Sequence, residues 1–344
     1  MATLSPAPVR AFITGCAGLV LSPGEEAFLA ATNPWGLILF RRNVESPAQV
    51  AALVAAFRAV VGRPDAPVLI DQEGGRVQRL AAPHWPAYPP AERFARLAEA
   101  GDLDAARRAA ALGARLMAHD LAALGITVDC VPCADLRLPE GHGIIGDRAY
   151  GSTPPQVAAL ARAAAEGLMQ GGVLPVLKHI PGHGRARADS HESLPVVETS
   201  RAELEATDFE PFRLLADLPL AMTAHVVYAA IDPDRPATTS ATVIGEIIRG
   251  HIGFDGALMS DDLSMGALSG TLAGRTEAAF AAGCDLALHC NGRMEEMTEV
   301  AGATPVLAGA AARRCAAALE RLHAASVLEV SQAREEFSAM IAAS

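Results

Sequence analysis

The sequence has little positive charge, no long hydrophobic run and no cysteine spacing typical of a disulfide-stabilised domain. Its 344 residues include 28 lysines and arginines against 39 aspartates and glutamates, which gives a net charge of -11. This negative charge repels nucleic acids and anionic membrane surfaces. No segment reaches the roughly 18 consecutive apolar residues that a membrane-spanning helix needs. We therefore expect no nucleic-acid or membrane partner, and a small molecule is the partner that the composition favours.

The cysteines favour a reducing compartment, and we expect the protein in the cytoplasm. The pair in "CVPC", residues 130 to 133, has the spacing of a redox pair or of half a zinc site, but no second pair at zinc spacing accompanies it. We interpret both as buried structural cysteines. The segment "RAFITGCAGLVL", residues 10 to 21, faintly resembles the core of a signal peptide, although a buried first strand explains its Ile and Val content equally well.

Short β-rich runs alternate along the chain with longer stretches of helical period. The predicted strands cover residues 12–21, 36–40, 67–71, 126–131, 173–179, 220–225, 256–261 and 285–290. The predicted helices cover residues 46–61, 91–124, 154–171, 201–217, 240–250, 271–282 and 305–323, with an appended C-terminal helix at 327–343. Near-continuous apolar strands between helices indicate a parallel sheet that is covered on its outer face. The sequence therefore predicts an α/β fold, a single (β/α)8 TIM-type barrel domain over residues 1–344.

Polar side chains stand at the ends of five of the eight predicted strands. They are Asp71, Lys178 and His179, His225, Asp261 and Asp262, and Asn291. Active sites of this fold gather at the carboxyl ends of the strands, so we expect a site there. For any one of these residues, the alternative is that a strand has to end in something polar.

The segment "KHIPGHGRARADSHESLP", residues 178 to 195, follows the fifth predicted strand and favours proton transfer. Four residues of this segment could bind zinc: His179, His183, Asp189 and His191. Their spacing matches neither a HExxH helix nor a zinc finger. A phosphate loop is disfavoured because "GHG" lacks the P-loop spacing. Asp189 stands two residues before His191 and can orient its ring, as in a proton-transfer dyad. The alternative is a turn-forming Asp189 beside a solvated His191.

Six motifs in this order resemble the bacterial β-N-acetylglucosaminidases of peptidoglycan recycling in glycoside hydrolase family 3. They are "DQEGGRVQR" (71–79), "IGDRAYG" (145–151), "KHIPGHG" (178–184), "DSH" (189–191), "AHVVYAAIDP" (224–233) and "FDGALMSDDLSM" (254–265). The resemblance implies one (β/α)8 barrel that removes terminal β-linked N-acetylglucosamine from cytoplasmic (anhydro)muropeptides. It also implies retention through a covalent glycosyl-enzyme intermediate, with no metal or other cofactor. We further expect a monomer.

The resemblance also implies a role for each matching position. Asp261 matches the nucleophile, and His191, assisted by Asp189, matches the general acid/base. The sugar-binding positions match Asp71, Arg79, Arg148, Lys178 and His179. Asp261 is preferred to Asp262 on the resemblance.

Several alternatives stay open from the residues themselves. Arg79 and Arg148 would equally suit salt bridges at the barrel mouth, and adjacent strand residues Lys178 and His179 should point to opposite sides. Arg185 and Arg187 would suit either an anionic substrate or a solvated loop. A phosphorylase with the same Asp/His pair, a metal-dependent hydrolase and a sugar-binding protein without activity are the other functions that the residues allow.

Overall fold

Eight parallel strands close into a barrel in the computed structural model, which describes residues 7–139, 141, 143–190 and 193–342. Each strand pairs in parallel with its two neighbours, and the first strand pairs with both the second and the last. The strands are β1 (Arg10–Thr14), β2 (Pro34–Leu39), β3 (Val68–Ile70), β4 (Val128–Asp129), β5 (Leu174–Ile180), β6 (Leu220–Thr223), β7 (Ala257–Asp262) and β8 (Leu286–His289). The predicted (β/α)8 fold is confirmed.

The barrel strands are buried on both faces, as their near-continuous apolar sequences require. Every residue of β2 and of β5 is buried. Ile13, Leu69, Val176 and Met259 belong to a cluster that fills the barrel interior. A larger cluster lies between the strands and the surrounding helices. The layered core is typical of this fold and leaves the strand ends as the place for polar chemistry.

Helices surround the barrel between successive strands. They are α1 (Pro23–Thr32), α2 (Pro47–Val61), α3 (Ala91–Glu99), α4 (Leu103–Ala122), α5 (Pro154–Gln170), α6 (Arg201–Ala206), α7 (Glu210–Leu214), α8 (Leu272–Ala282), α9 (Met294–Ala303), α10 (Gly309–Glu320) and α11 (Val330–Ala342). A π-helix spans Val243–His251, where the sequence predicts an ordinary helix. Within the described residues, none of the helices is long and apolar enough to cross a membrane.

The first predicted strand is too long, and the helix that follows it was not predicted. β1 ends at Thr14, and the next residues form a loop in which the Asn43 side chain donates to the carbonyl oxygens of Cys16 at 3.1 Å and Gly18 at 2.8 Å. Ser22 then caps α1, with the Glu25 carboxylate accepting from the Ser22 amide in a capping box. The "SPGE" signal for this helix start stands in the sequence.

Two predicted helices are each divided into two. The stretch 91–124 breaks at Gly101, whose φ of 102° suits glycine, and Asp102 then caps α4 by accepting from the Ala105 amide at 2.8 Å. The stretch 201–217 forms the short helices α6 and α7. Helix α9, which precedes the predicted 305–323 helix, was also missed.

The appended C-terminal helix is present as α11 and packs on the outer surface of the barrel. The Phe337 ring lies so close to Gly113 of α4 that a Cβ at Gly113 would come within 2.7 Å of it. Arg334 and the Asp120 carboxylate form an ion pair at 2.7 Å. These contacts attach α11 to α4, away from the carboxyl ends of the strands.

Candidate active site

A cavity of about 430 Å³ opens at the carboxyl ends of the barrel strands. It is lined by six of the eight sequence-predicted site residues: Asp71, Arg79, Arg148, Lys178, His179 and Asp261. Asp189 is partly exposed and is not among the lining residues. His191 lies outside the described residues. The topology thus gathers side chains from β5, β7 and the segments after β3 and β4 at one opening.

One wall of the cavity is a row of alternating cations and carboxylates, which we call the charged wall: Arg79, Asp71, Lys178, Glu73 and Arg148. Asp71 pairs with Arg79 at 3.0 Å and with Lys178 at 2.9 Å. Glu73 pairs with Lys178 at 2.7 Å and bonds Arg148 through both guanidinium donors at 2.8 and 2.7 Å. The salt-bridge alternative for Arg79 and Arg148 is therefore realised, while both side chains also line the cavity.

The charged wall stays ionised although it is buried. Burial alone would raise the pKa of Asp71, but the charges of Lys178 and Arg79 outweigh it and hold that pKa well below its usual value. Burial likewise opposes ionisation of Glu73, yet Arg148 and Lys178 lower its pKa to about 2. The two carboxylates in turn raise the pKa of Lys178 against its own desolvation. The wall therefore presents fixed charges at neutral pH.

The two aspartates at the end of β7 have different surroundings. The Asp262 carboxylate accepts from the Ser264 hydroxyl at 2.7 Å, from the Ser264 amide at 3.1 Å and from the Cys290 amide at 3.2 Å. Asp261 accepts from the Asp262 amide at 2.8 Å, and its own amide donates to the Thr223 hydroxyl at 3.3 Å. The Asp262 carboxylate is thus bound to the turn after β7 and the Asp261 carboxylate to the backbone at the end of the strand, and both residues line the cavity.

Asp135, which the sequence analysis missed, holds the two histidines of "KHIPGHG". Its carboxylate lies 2.6 Å from His179 Nδ1 and accepts from the His183 amide at 2.6 Å. Burial would raise the pKa of Asp135, but the two histidines lower it well below its usual value, so it is an acceptor only. His179 Nδ1 therefore carries a proton.

Lys178 and His179 both line the cavity, so the expected alternation of neighbouring strand residues is wrong here. The pairing register of β5 with β6 shifts between Leu177 and Ile180, which breaks the regular two-residue period.

The loop after β5, residues 181–195 and here called the β5 loop, begins tightly packed. A Cβ at Gly184 would stand 2.3 Å from the Leu136 carbonyl oxygen, which explains a glycine of "GHG" by close backbone approach. Arg185 pairs with Asp208 at 2.7 Å. Further along, the Ser190 carbonyl oxygen accepts from the Ala267 amide at 3.1 Å. Arg185 is thus engaged within the protein, and Arg187 is exposed.

The other predicted strand-end residues divide between the cavity and the structure below it. His225 is fully buried, its Nδ1 atom lies 2.7 Å from the Thr238 hydroxyl and its Nε2 atom lies 3.0 Å from the Asp262 carbonyl oxygen. Burial lowers the pKa of His225, so the neutral ring supports β7 from behind. Asn291 lines the cavity and donates to Glu296.

The glycosyl hydrolase family 3 N-terminal domain matches residues 22–324 of the chain. The chain belongs to this family. The β-hexosaminidase of Alkalilimnicola ehrlichii is 43% identical to this family 3 chain over 292 residues, which cover 80% of this chain and 79% of that protein. The β-hexosaminidase of Pseudomonas aeruginosa LESB58 is 41% identical over 283 residues, covering 80% and 81%.

Solved structures give the same assignment. NagZ from Neisseria gonorrhoeae in complex with N-trifluoroacetyl-D-glucosamine superposes with a TM-score of 0.84 at 32% identity, and the match covers 98% of each chain. The family resemblance that the motifs indicated is confirmed, and this family 3 chain is a glycosidase.

Three residues of the family 3 site carry signals that the sequence analysis passed over. Glu73 stands two positions after Asp71 in "DQEGGRVQR", and two acids so close in sequence favour a cation shared between them. Asp135 follows "CVPC" by two positions. Asp129 ends β4, where burial raises its pKa well above the usual value, and its Oδ2 atom has no hydrogen-bond partner within the described residues.

Among the described residues, one group of potential metal ligands is close enough to hold an ion. Cys133, Asp135 and His179 place a sulfur, an oxygen and a nitrogen within 4.8 Å of one another, and all three are buried. This group shares only His179 with the zinc ligands considered from the sequence spacing, which were His179, His183, Asp189 and His191. Of those, His191 lies outside the described residues.

Proposed function

We propose that the protein is a retaining exo-β-N-acetylglucosaminidase with Asp261 as its nucleophile. The observation that carries the proposal is that Asp261, near the end of β7, lines the same cavity as the charged wall. Membership of family 3 and the β-hexosaminidase relatives support a hexosamine substrate. The hydrogen bonds that commit the Asp262 carboxylate to Ser264 and Cys290 favour Asp261 over its neighbour.

The charged wall would bind the sugar hydroxyl and acetamido groups. Asp71 accepts from hydroxyls, while Arg79, Arg148, Lys178 and His179 donate, and each charged hydrogen bond of this kind contributes about 1.5–3 kcal/mol. Because every member is already held by a partner, little side-chain entropy is lost when the sugar binds. The anomeric carbon is thereby directed toward Asp261.

The reaction proceeds in two displacements at the anomeric carbon. The Asp261 carboxylate attacks that carbon while His191, as imidazolium, protonates the leaving oxygen, so the glycosidic bond breaks and a glycosyl ester forms. His191, now neutral, then takes a proton from water, which attacks the same carbon and releases Asp261. Asp189 orients His191. The roles of His191 and Asp189 rest on the family motif "DSH".

We propose (anhydro)muropeptides with a terminal β-linked N-acetylglucosamine as the natural substrate, on the family resemblance. The six cysteines, all free and buried, support action in a reducing compartment such as the cytoplasm. We further propose that residues 1–344 act as one barrel domain and as a monomer, without a metal in catalysis.

The test compares release of chromophore from an aryl β-N-acetylglucosaminide by wild type, Asp261→Asn and the matched variant Asp262→Asn, each with and without phosphate. We expect Asp261→Asn to lose about a thousandfold or more in kcat while its Tm is kept, and Asp262→Asn to lose far less. Phosphate should leave the wild-type rate unchanged. A near-normal Asp261→Asn would refute the nucleophile, and formation of sugar 1-phosphate would make the enzyme a phosphorylase.

A further inference from the structure

The segment after β4 brings a cysteine against a sugar-binding histidine. Cys133 forms an isolated parallel β-bridge with Lys178 of β5. The Lys178 amide donates to the Pro132 carbonyl oxygen at 3.0 Å, and the Ala134 amide donates to the Lys178 carbonyl oxygen at 2.7 Å. This pairing places Cys133 beside Lys178 of the cavity, and Asp135 follows two residues later on the same segment. The Cys133 sulfur lies 3.3 Å from the Asp135 carboxylate, which in turn lies 2.6 Å from His179 Nδ1.

We propose that Cys133, Asp135 and His179 form a binding site for a thiophilic divalent cation such as Zn²⁺ or Cd²⁺, and that the bound ion inhibits the enzyme by capturing His179. Thiolate, carboxylate and imidazole are the three ligand types that zinc takes in proteins, and a fourth position stays open for water. The inhibition rests on the proposed function, whereas the binding of the ion does not.

The donor atoms need only a small rearrangement to hold the ion. They lie within 4.8 Å of one another, and tetrahedral zinc with bonds of about 2.0–2.3 Å separates its ligand atoms by roughly 3.3–3.6 Å. The sulfur and the imidazole nitrogen therefore move by about 1 Å, which is within the reach of side-chain torsions. A further nitrogen donor lies beside the group, because His183 Nδ1 is buried without a hydrogen-bond partner in the described chain and its ring centroid is 5.7 Å from that of His179.

The charges around the group permit a dication. Asp135 supplies a carboxylate, and the Cys133 thiol would lose its proton to the solvent as the sulfur binds the metal. The nearest cations, Arg148 and Lys178, are already paired with carboxylates of the charged wall.

Capture of His179 would disable sugar binding through a defined change. In the free enzyme His179 Nδ1 lies 2.6 Å from the Asp135 carboxylate, which fixes the ring of a residue that lines the cavity. An ion on Nδ1 displaces the proton of that nitrogen and turns the ring toward Cys133. His179 is 7% exposed and lines the cavity, so an ion has an approach from the opening.

The test titrates metal-free, full-length protein with Cd²⁺ and follows the ultraviolet charge-transfer band of cadmium bound to thiolate. The wild type should show the band, and Cys133→Ala should lose it. Cys130→Ala is the matched control, because Cys130 is equally buried three residues away and stands outside the group, so this variant should keep the band. Cys133→Val, which fills the space without a metal ligand, replaces Cys133→Ala if the alanine variant does not fold.

A second readout is the Zn²⁺ concentration that halves turnover of the aryl β-N-acetylglucosaminide. We expect Cys133→Ala to raise it at least about tenfold, and Cys130→Ala to leave it unchanged. No band in the wild type, or a band that persists in Cys133→Ala, would overturn the site. Inhibition that disappears in Cys290→Ala and persists in Cys133→Ala would overturn it in favour of Cys290, which lines the cavity. A wild type with the band and without any glycosidase activity would refute the proposed function and leave the metal site standing.

Discussion

The charged wall and the described part of the β5 loop are held by different kinds of contact. Each member of the wall is ion-paired to at least one other member, at distances of 2.7–3.0 Å. The β5 loop is anchored at its start by Arg185 and is tied further along by the Ser190–Ala267 backbone hydrogen bond, with Arg187 exposed between them. We propose that the charged wall binds the sugar with side chains that are already held in place, and that the β5 loop carries the proton-transfer residue. Variants of the two regions should therefore affect KM and kcat differently.

Of the variants in these two regions, His191→Gly in the β5 loop is expected to reduce catalytic activity most. Loss of the general acid should lower kcat/KM, which reports the first displacement, by about 10² to 10⁴ for a substrate with a poor leaving group, and much less for an activated aryl substrate that needs no proton. The kcat of both substrates should fall as well, because the second displacement loses its general base. The Ki of N-acetylglucosamine should change little, since the charged wall is intact. Steady-state kinetics on both substrates check this, and equal losses of kcat/KM with the two leaving groups would remove His191 from the acid step.

Substitutions in the charged wall should mainly change KM. Glu73→Gln leaves Lys178 and Arg148 without their shared carboxylate, so both donors lose their fixed positions. We therefore expect KM, or the Ki of N-acetylglucosamine, to rise about tenfold or more, and kcat to fall by a smaller factor. Glu92→Gln is the matched control, because Glu92 also pairs with two arginines, Arg96 at 3.0 Å and Arg137 at 2.5 Å, outside the cavity. If Glu73→Gln lowers Tm as Glu92→Gln does and leaves KM unchanged, Glu73 has only a structural role.

The charged wall should also make the free energy of unfolding depend on pH, through Glu73. The folded state lowers the pKa of Glu73 from 4.5 to about 2, so ionised Glu73 contributes stability above about pH 4.5, and that contribution is lost as the pH falls toward 2. Urea unfolding between pH 6 and pH 3 should show a shallower loss of stability in Glu73→Gln than in wild type. Parallel curves for the two proteins would mean that Glu73 is not held ionised by its partners.

The smallest effect is expected at the exposed part of the loop. Arg187→Ala removes a solvated charge, so turnover of a neutral aryl substrate should stay within about twofold of wild type. An unchanged rate on a peptide-bearing anionic substrate would identify Arg187 as a merely solvated side chain. A large loss of kcat on the neutral substrate would contradict the separation of the exposed loop surface from the chemistry.

The barrel and most of the cavity were predictable because both follow from local patterns. Apolar runs between helical stretches specify the strands, and parallel strands bring Asp71, Lys178 and Asp261 to one face wherever their exact ends lie. The resemblance added the roles of these residues. Helix α1 was missed although its "SPGE" start is a helix signal, because the preceding apolar run was extended to residue 21.

The partners of the site residues were less predictable, because they depend on loop geometry. The pairing of Glu73 with both Lys178 and Arg148 requires two segments to meet at the mouth of the cavity: the hairpin formed after β3 by the short strands Gln72–Gly74 and Val77–Gln78, and the loop before α5. The contact of Asp135 with His179 requires the register between the segment after β4 and β5. No periodicity encodes either meeting. The same holds for the break at Gly101, where a single positive φ divides a continuous helical pattern.

The central claim is that Asp261 forms a covalent bond with the sugar. The most direct measurement is denaturing mass spectrometry of the enzyme after reaction with a fluorinated N-acetylglucosaminyl analogue that carries an activated leaving group, followed by peptide mapping. We expect a mass increase of one glycosyl group on the peptide that carries Asp261, and none in Asp261→Asn. Turnover without an adduct, or an adduct on Asp262, would contradict the account.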